Sequence, residues 1–360
     1  MKKISLGPPG LVFQVRILFQ KNPYFVVNPN MKMNLPIADL HCDLLSYLAL
    51  VPGADPYIKD QIACAIPWLE EGGVKMQVLA IYTNVEDASM RIASKQADLF
   101  GKLLQNHDQS LTAFNQEYIA NVDKESCIGV IASVENAAGF GTEKSTWEEI
   151  YAQFDSIVEK VGQLAYISLT HHTENRFGGG NYTEGIGLKE DGKRLLDYMA
   201  GKRIPVDLSH TSDLLAEGIL NHIDRHHLPI PVIASHSNFR AIWDHKRNIS
   251  DEFALEVIQR GGLIGVNFLR EFLDREVPER LYEHILHGVK MGENAISFGA
   301  DFFYTLNFPD KNRHPFYFPL VENAGKYPSI LEALRESMSE AQVRKLAFEN
   351  VFNFYQKLWS

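Results

Sequence analysis

Ile37-Ala38-Asp39-Leu40-His41-Cys42-Asp43 is a short, mostly apolar run that ends in two potential metal ligands. It has the length and composition of a buried β-strand. Side chains alternate along a strand, so His41 and Asp43 project to one side and Cys42 to the other. An imidazole and a carboxylate leaving a strand end together can chelate one divalent cation. The spacing alone carries little weight, because His222-Ile223-Asp224 repeats it. That copy falls in a helix-like stretch, where residues two apart point to nearly opposite sides.

Seven further β-rich runs follow: Val74–Tyr82, Ile128–Glu135, Leu164–Thr170, Ile204–Ser209, Pro231–Ser235, Gly262–Phe268 and Ala295–Asp301. Most are continuous apolar runs, the pattern of parallel strands buried on both faces. Helix candidates lie between them. Asp87–Gln105 has few breakers, Gly187–Met199 is amphipathic, and Asp213–His226 begins after Thr211-Ser212, which can cap it. Ser339–Leu358 closes the chain with strong helical periodicity. Eight strand–helix alternations without a long linker predict an α/β fold, a single (β/α)8 TIM barrel over residues 35–360. A doubly wound open sheet is the alternative. Two segments stand outside this count. Phe177-Gly178-Gly179-Gly180-Asn181 reads as a flexible loop, and Phe302–Leu320 is crowded with aromatics and prolines. Both follow strands at the end where barrels build their sites, so both are candidate substrate walls.

The 360 residues are 45% hydrophobic and include 21 Phe, 14 Tyr and four Trp, enough for a large core. A formal net charge of −10 argues against a nucleic-acid-binding surface. The three cysteines are odd in number and far apart, which fits a reduced, cytoplasmic setting better than a disulfide framework. Residues 1–34 read as an N-terminal arm or an over-extended start, with Met31 and Met33 as alternative starts. The run Leu11–Phe19 faintly resembles an export signal, but Gln14 and Arg16 interrupt it. Export through a degenerate signal is the alternative location. No stretch reaches the ~20 apolar residues of a membrane span.

Potential ligands track the strand ends. His41 and Asp43 end the first strand and Glu135 the third; His171, His210 and His236 follow the fourth, fifth and sixth; Asp301 ends the eighth. A lone strand-end histidine is more often a hydrogen-bonded structural residue than a ligand. Seven such residues on one rim make coincidence a poor account, and a metal site is the expectation. His107, His222, His226, His227, His284 and His287 fall in helical stretches and are read as surface or packing residues. His172 is a weaker candidate than His171. Asp39 and Asp207 sit deeper in their strands and are assigned structural roles.

On His41-Cys42-Asp43, Glu135, Leu169-Thr170-His171 with Asn175, and Asp207-Leu208-Ser209-His210, the chain resembles the membrane (renal) dipeptidase family of the amidohydrolase superfamily. Ser235-His236-Ser237, His245-Lys246-Arg247-Asn248, Gly299-Ala300-Asp301-Phe302 and Glu349-Asn350 extend the resemblance from about Pro36 to the C-terminus. It implies a binuclear zinc site, with two Zn2+ bridged by Glu135. His41 and Asp43 would complete one metal's set, and His210 and His236 the other. It further implies that His171 stabilises the tetrahedral intermediate and that Arg247 binds the dipeptide carboxylate. Asn175 would lie on the substrate side, and Asp301 would pass a proton from the attacking water to the leaving amine. The chemistry is coherent, since two bridged cations lower the pKa of a shared water and the resulting metal-bridging hydroxide can attack an amide.

The chain departs from the family where Gly-Ser-Asp-Phe-Asp-Gly is usual. Here the run is Gly299-Ala300-Asp301-Phe302-Phe303-Tyr304, and an aromatic-rich loop replaces the second aspartate and glycine. The expectation is a zinc-dependent dipeptidase acting on small dipeptides, with no nucleic-acid partner and with a homodimer left open. Hydrolysis of N-acyl amino acids or lactams is the enzymatic alternative, and a non-catalytic metal-containing binding barrel is the alternative of another class.

Overall fold

The computed structural model describes residues 35–105 and 110–360, so the N-terminal arm, residues 1–34, and His107 lie outside the described residues. Among the described residues nine strands form one sheet, with every pair parallel: β1 Ile37–Cys42, β2 Val74–Tyr82, β3 Leu111–Ala113, β4 Ile128–Glu135, β5 Leu164–Ser168, β6 Val206–Asp207, β7 Val232–Ile233, β8 Ile264–Val266 and β9 Ile296–Phe298. Their order is β7-β6-β5-β4-β2-β1-β9-β8. A parallel bridge between Ala234 and Ile264 brings the two ends together and makes the sheet a barrel rather than an open sheet. Two asparagines reinforce this seam. The Asn238 amide donates to the Asn267 carbonyl, and the Asn267 backbone N–H donates to Asn238 Oδ1, each at 3.0 Å. The strand absent from the sequence reading, β3, pairs with the first residues of β4 and lies off the barrel path.

Both faces of the strands are buried, which explains their unbroken apolar character. Leu79, Ile81, Val130, Ala132 and Val134 belong to the large core packed under the helices. Met76, Val78, Ile131 and Ile233 join a smaller cluster with Tyr355 and Trp359 of the closing helix. That helix starts at Glu340 with a Ser339–Gln342 capping box, passes through a π-helical turn at Lys345–Glu349 and ends at Trp359. Asp213–His226 forms as expected, with the Ser212 hydroxyl accepting from the Leu215 N–H at 3.0 Å.

Two expectations change. Phe177–Asn181 is buried throughout, not a loose loop. A Cβ on Gly180 would stand 2.1 Å from the His171 carbonyl oxygen, so glycine there serves close packing. Alternation in β1 is also broken. Three steps from Asp39 to Cys42 face two from Gln77 to Leu79, a bulge that separates Asp39 from the side on which His41 projects. Asp39 accepts instead from the Tyr327 hydroxyl and from the Ala300 N–H, a structural role.

Buried His284 is a packing residue. Its Nδ1 accepts from the Phe239 N–H and its Nε2 donates to the Leu273 carbonyl, both at 3.1 Å. Burial pushes its pKa down to about 3, only partly offset by the Leu273 bond. The unfolded chain therefore takes up this proton first, and stability falls as pH drops below about 6.5. His284→Gln is expected to cut the loss of unfolding free energy between pH 7 and pH 5 by about 2 kcal/mol, measured by urea titration at both pH values.

Candidate metal centre

One register row fixes the site. Tyr82, Glu135, Ser168, Asp207 and Ile233 are successive partners across β2, β4, β5, β6 and β7. Glu135 lies on that row, and His171, His210 and His236 each stand three residues beyond their strand's member of it. Asp301 likewise stands three residues past Phe298, the β9 partner of Asp39. The barrel thus converts equal offsets on separate strands into one layer of side chains at the carboxyl end.

Glu135 sits at the centre. Its Oε2 is 3.6 Å from His41 Nε2, while its Oε1 is 2.9 Å from His210 Nε2 and 3.5 Å from His236 Nε2. His41 Nε2 also has Asp43 Oδ2 at 3.8 Å and Asp301 Oδ1 at 3.7 Å. The ligand atoms of His41, Asp43 and Glu135 lie within 4.8 Å of one another, as do those of Glu135, His210 and His236. Cys42 is buried and belongs to neither group.

Hydrogen bonds behind two imidazoles decide which nitrogen faces inward. Tyr166 gives its hydroxyl proton to the Leu40 carbonyl at 2.9 Å, so it must accept from His41 Nδ1, 2.6 Å away. The Ser235 hydroxyl donates to Asp207 Oδ2 at 2.7 Å and accepts from His236 Nδ1 at 2.6 Å. In its neutral form each ring therefore turns an Nε2 lone pair toward Glu135. His41 Nε2 is buried without a hydrogen-bond partner among the described residues. The Nε2 atoms of His210 and His236 approach to 2.9 Å, although burial holds both rings neutral.

The electrostatics call for positive charge. Burial alone would keep His41 neutral, but Glu135, Asp43 and Asp301 outweigh it and push its pKa up to about 10. Burial raises Glu135 well above the usual carboxylate range, and it raises Asp301 to about 6. Crowded acidic groups, imidazole nitrogens aimed inward and an unpartnered nitrogen fit divalent cations held by nitrogen and oxygen donors.

Arg247 is buried beside this layer. Its Nη2 contacts His210 Nε2 at 3.1 Å and donates to the His236 carbonyl at 2.9 Å, and its Nη1 donates to Ser237 Oγ at 3.1 Å. Its Nε has no partner among the described residues. His171 Nε2 lies 3.8 Å from Glu135 Oε1, and burial lowers its pKa well below the usual histidine value. Asn175 does not join the group. Its amide donates to Asn136 Oδ1 and the Leu169 carbonyl, and its Oδ1 accepts from the Phe177 N–H, so its capacity is spent holding the buried glycine loop. His210 and Asp301 adopt left-handed backbone, with φ of 68° and 62°. Such strain in non-glycine residues gathers at functional sites.

The two strand ends without a foreseen ligand contribute as well. Asn267, after β8, donates to Asp301 Oδ2 at 2.7 Å, and the Tyr82 ring meets His171 edge-on at 4.9 Å. Both are neutral residues without a telling spacing. A cavity of about 520 Å3 opens above Glu135, His171, His172, His210 and Asp301.

Comparison with known proteins agrees with this geometry. Dipeptidase verJ of Clonostachys rogersoniana is 25% identical over 271 residues; the match covers 73% of this chain and 64% of that protein, so the chain spans just under two thirds of its length. The crystal structure of dipeptidase AC, a metallopeptidase, superposes with a TM-score of 0.76 at 21% identity, covering 91% of this chain and 99% of that one. A metallopeptidase from Rhodobacter sphaeroides, solved with a phosphinate mimic of the dipeptide L-Ala-D-Ala, gives 0.76 at 20% identity, covering 90% and 99%. At these identities the two structures establish the shared fold. The family model for membrane dipeptidase, peptidase family M19, matches residues 29–358, and the chain belongs to that metallopeptidase family.

Proposed function

We propose that this protein is a zinc-dependent dipeptidase that hydrolyses the amide bond of small dipeptides. His41, Asp43 and Glu135 would hold one Zn2+, and Glu135, His210 and His236 the other. The observation that carries this reading is the division of Glu135, whose Oε2 faces His41 while Oε1 faces His210 and His236. Bound there, the ions would supply a hydroxide at neutral pH and polarise the scissile carbonyl. His171, held neutral by burial, keeps a ring N–H to donate to the developing oxyanion. Asp301, raised to about 6, can take a proton from the attacking water and return it to the leaving amine. Asn175 is proposed as a positioning residue that fixes the loop behind His171.

Arg247 would receive the free carboxylate of the dipeptide, a role supported by its Nε, which has no partner among the described residues. Arg247→Ala is expected to raise KM for dipeptides roughly 10–100-fold, the worth of a hydrogen bond to a charged group. An unchanged KM in steady-state kinetics would remove this role. The reading as a whole is tested by metal analysis with a dipeptide panel. Close to two zinc equivalents and release of amino acids are expected. Two equivalents without turnover of dipeptides, N-acyl amino acids or lactams would indicate a binding barrel.

A further inference from the structure

The cavity is larger than a pair of small residues requires. At about 520 Å3 it has the size of sites that enclose drug-sized ligands, roughly 300–1,000 Å3. Beyond the ionisable floor its wall is mostly apolar, built by Tyr47, Leu50 and Val51, which follow Asp43, and by Phe303, Tyr304 and Phe308, which follow Asp301, with the Arg313 guanidinium set over the Phe308 ring. The Tyr47 and Tyr304 rings stack with centroids 5.2 Å apart. The Tyr47 hydroxyl is spent on the Gln61 side chain and on the Asp55 N–H at 3.0 Å. Phe303 and Phe308 both pack edge-on against buried Phe316, at 5.0 and 4.9 Å. The wall is therefore fixed by its own packing before any substrate arrives. It continues to the surface through Leu50, which is 54% exposed.

The two ends of the site differ in chemistry. Arg247 stands on the His210 and His236 side. A dipeptide with its carboxylate there and its scissile carbonyl over Glu135 extends its amino-terminal residue toward Asp43 and the aromatic wall. A charged side chain in that place loses water and meets only Ser46, Asn84 and Arg313 as polar groups in this part of the lining, and Arg313 is already paired with Glu271 at 2.8 Å. An apolar side chain gains about 25 cal/mol for each Å2 it buries. Resting on the dipeptidase reading, we infer that the protein selects dipeptides whose amino-terminal residue carries a bulky apolar or aromatic side chain, with Phe303 and Tyr304 as specificity-determining residues.

The test is a comparison of kcat/KM for Phe-Gly, Leu-Gly, Gly-Gly, Asp-Gly and Gly-Phe with the zinc-loaded enzyme, alongside calorimetric binding of phosphinate analogues of Phe-Gly and Gly-Gly. Burial of most of an aromatic ring predicts that Phe-Gly exceeds Gly-Gly by about 30-fold, with Asp-Gly and Gly-Phe no better than Gly-Gly. The double variant Phe303→Asp, Tyr304→Gly should bring the Phe-Gly to Gly-Gly ratio, in rates and in binding, to within roughly threefold. Leu50→Asp, at an exposed position that folding tolerates, should lower the same ratio. Turnover of Gly-Gly or Asp-Gly as fast as Phe-Gly, a preference for Gly-Phe, or ratios unmoved by both variants would overturn the inference and leave the dipeptidase reading standing. Absence of turnover on every dipeptide would overturn that reading and the inference with it.

Discussion

Asp301→Asn is expected to keep its full zinc content and fold while losing about 10²–10⁴-fold in kcat, the usual worth of general acid–base catalysis. The structure favours so clean an effect. Asp301 has a left-handed backbone with φ of 62°, a conformation asparagine tolerates better than most residues. Its Oδ2 accepts from Asn267 at 2.7 Å, and an amide oxygen can accept the same bond. What asparagine cannot do is exchange a proton. Zinc analysis and steady-state kinetics decide the matter together. A wild-type rate would end the proton-shuttle assignment, and loss of a zinc equivalent would make Asp301 a ligand, since it also groups with His41 and His236.

Glu135→Gln should be still more damaging. It removes the one carboxylate shared by both ligand groups, so the variant is expected to bind fewer than two zinc equivalents. Metal assistance is worth several kcal/mol, so turnover should fall by on the order of 10³-fold or more. Stability should move the other way in the metal-free protein. Burial disfavours the Glu135 carboxylate and Asp43 and Asp301 repel it, which together outweigh the attraction of His41 and Arg247. Metal-free Glu135→Gln is thus expected to melt no lower than the metal-free wild type and to gain less from added zinc. A calorimetric scan of both proteins, with and without zinc, measures this. Equal stabilisation of both by zinc would show that Glu135 does not bridge.

The barrel was legible in the sequence because its strands are buried on both faces and read as separate apolar runs. The candidate ligands were legible because barrel chemistry falls at strand ends, and charged residues at the ends of Ile128–Glu135 and Ala295–Asp301 stand out. Three features were not. β3 is only three residues long and borrows one edge of β4 below β5, so it leaves no pattern. The bulge in β1 is a property of pairing, visible only against β2. Tyr166 lies 125 residues from His41, and Asn267 is 34 from Asp301, so their roles appear only once the chain is folded. The glycines of Phe177–Asn181 suggested freedom, whereas the close approach of Gly180 to the His171 carbonyl makes them a packing device.

The seam between β7 and β8 has a mechanical meaning. Elsewhere the barrel wall is held by paired strands, but here one bridge, a bond from the Ser237 N–H to the Gly265 carbonyl at 2.7 Å and two asparagines do the work. His236 follows the strand on one lip, while Asn267 on the other lip holds Asp301, which with His41 faces the same Glu135. Cations held in this layer would act as a clasp across the joint. Chelation would then do more than silence the chemistry: it would unfasten the wall at this line, and backbone amides near Ala234 and Ile264 would be the first in the barrel to exchange with solvent.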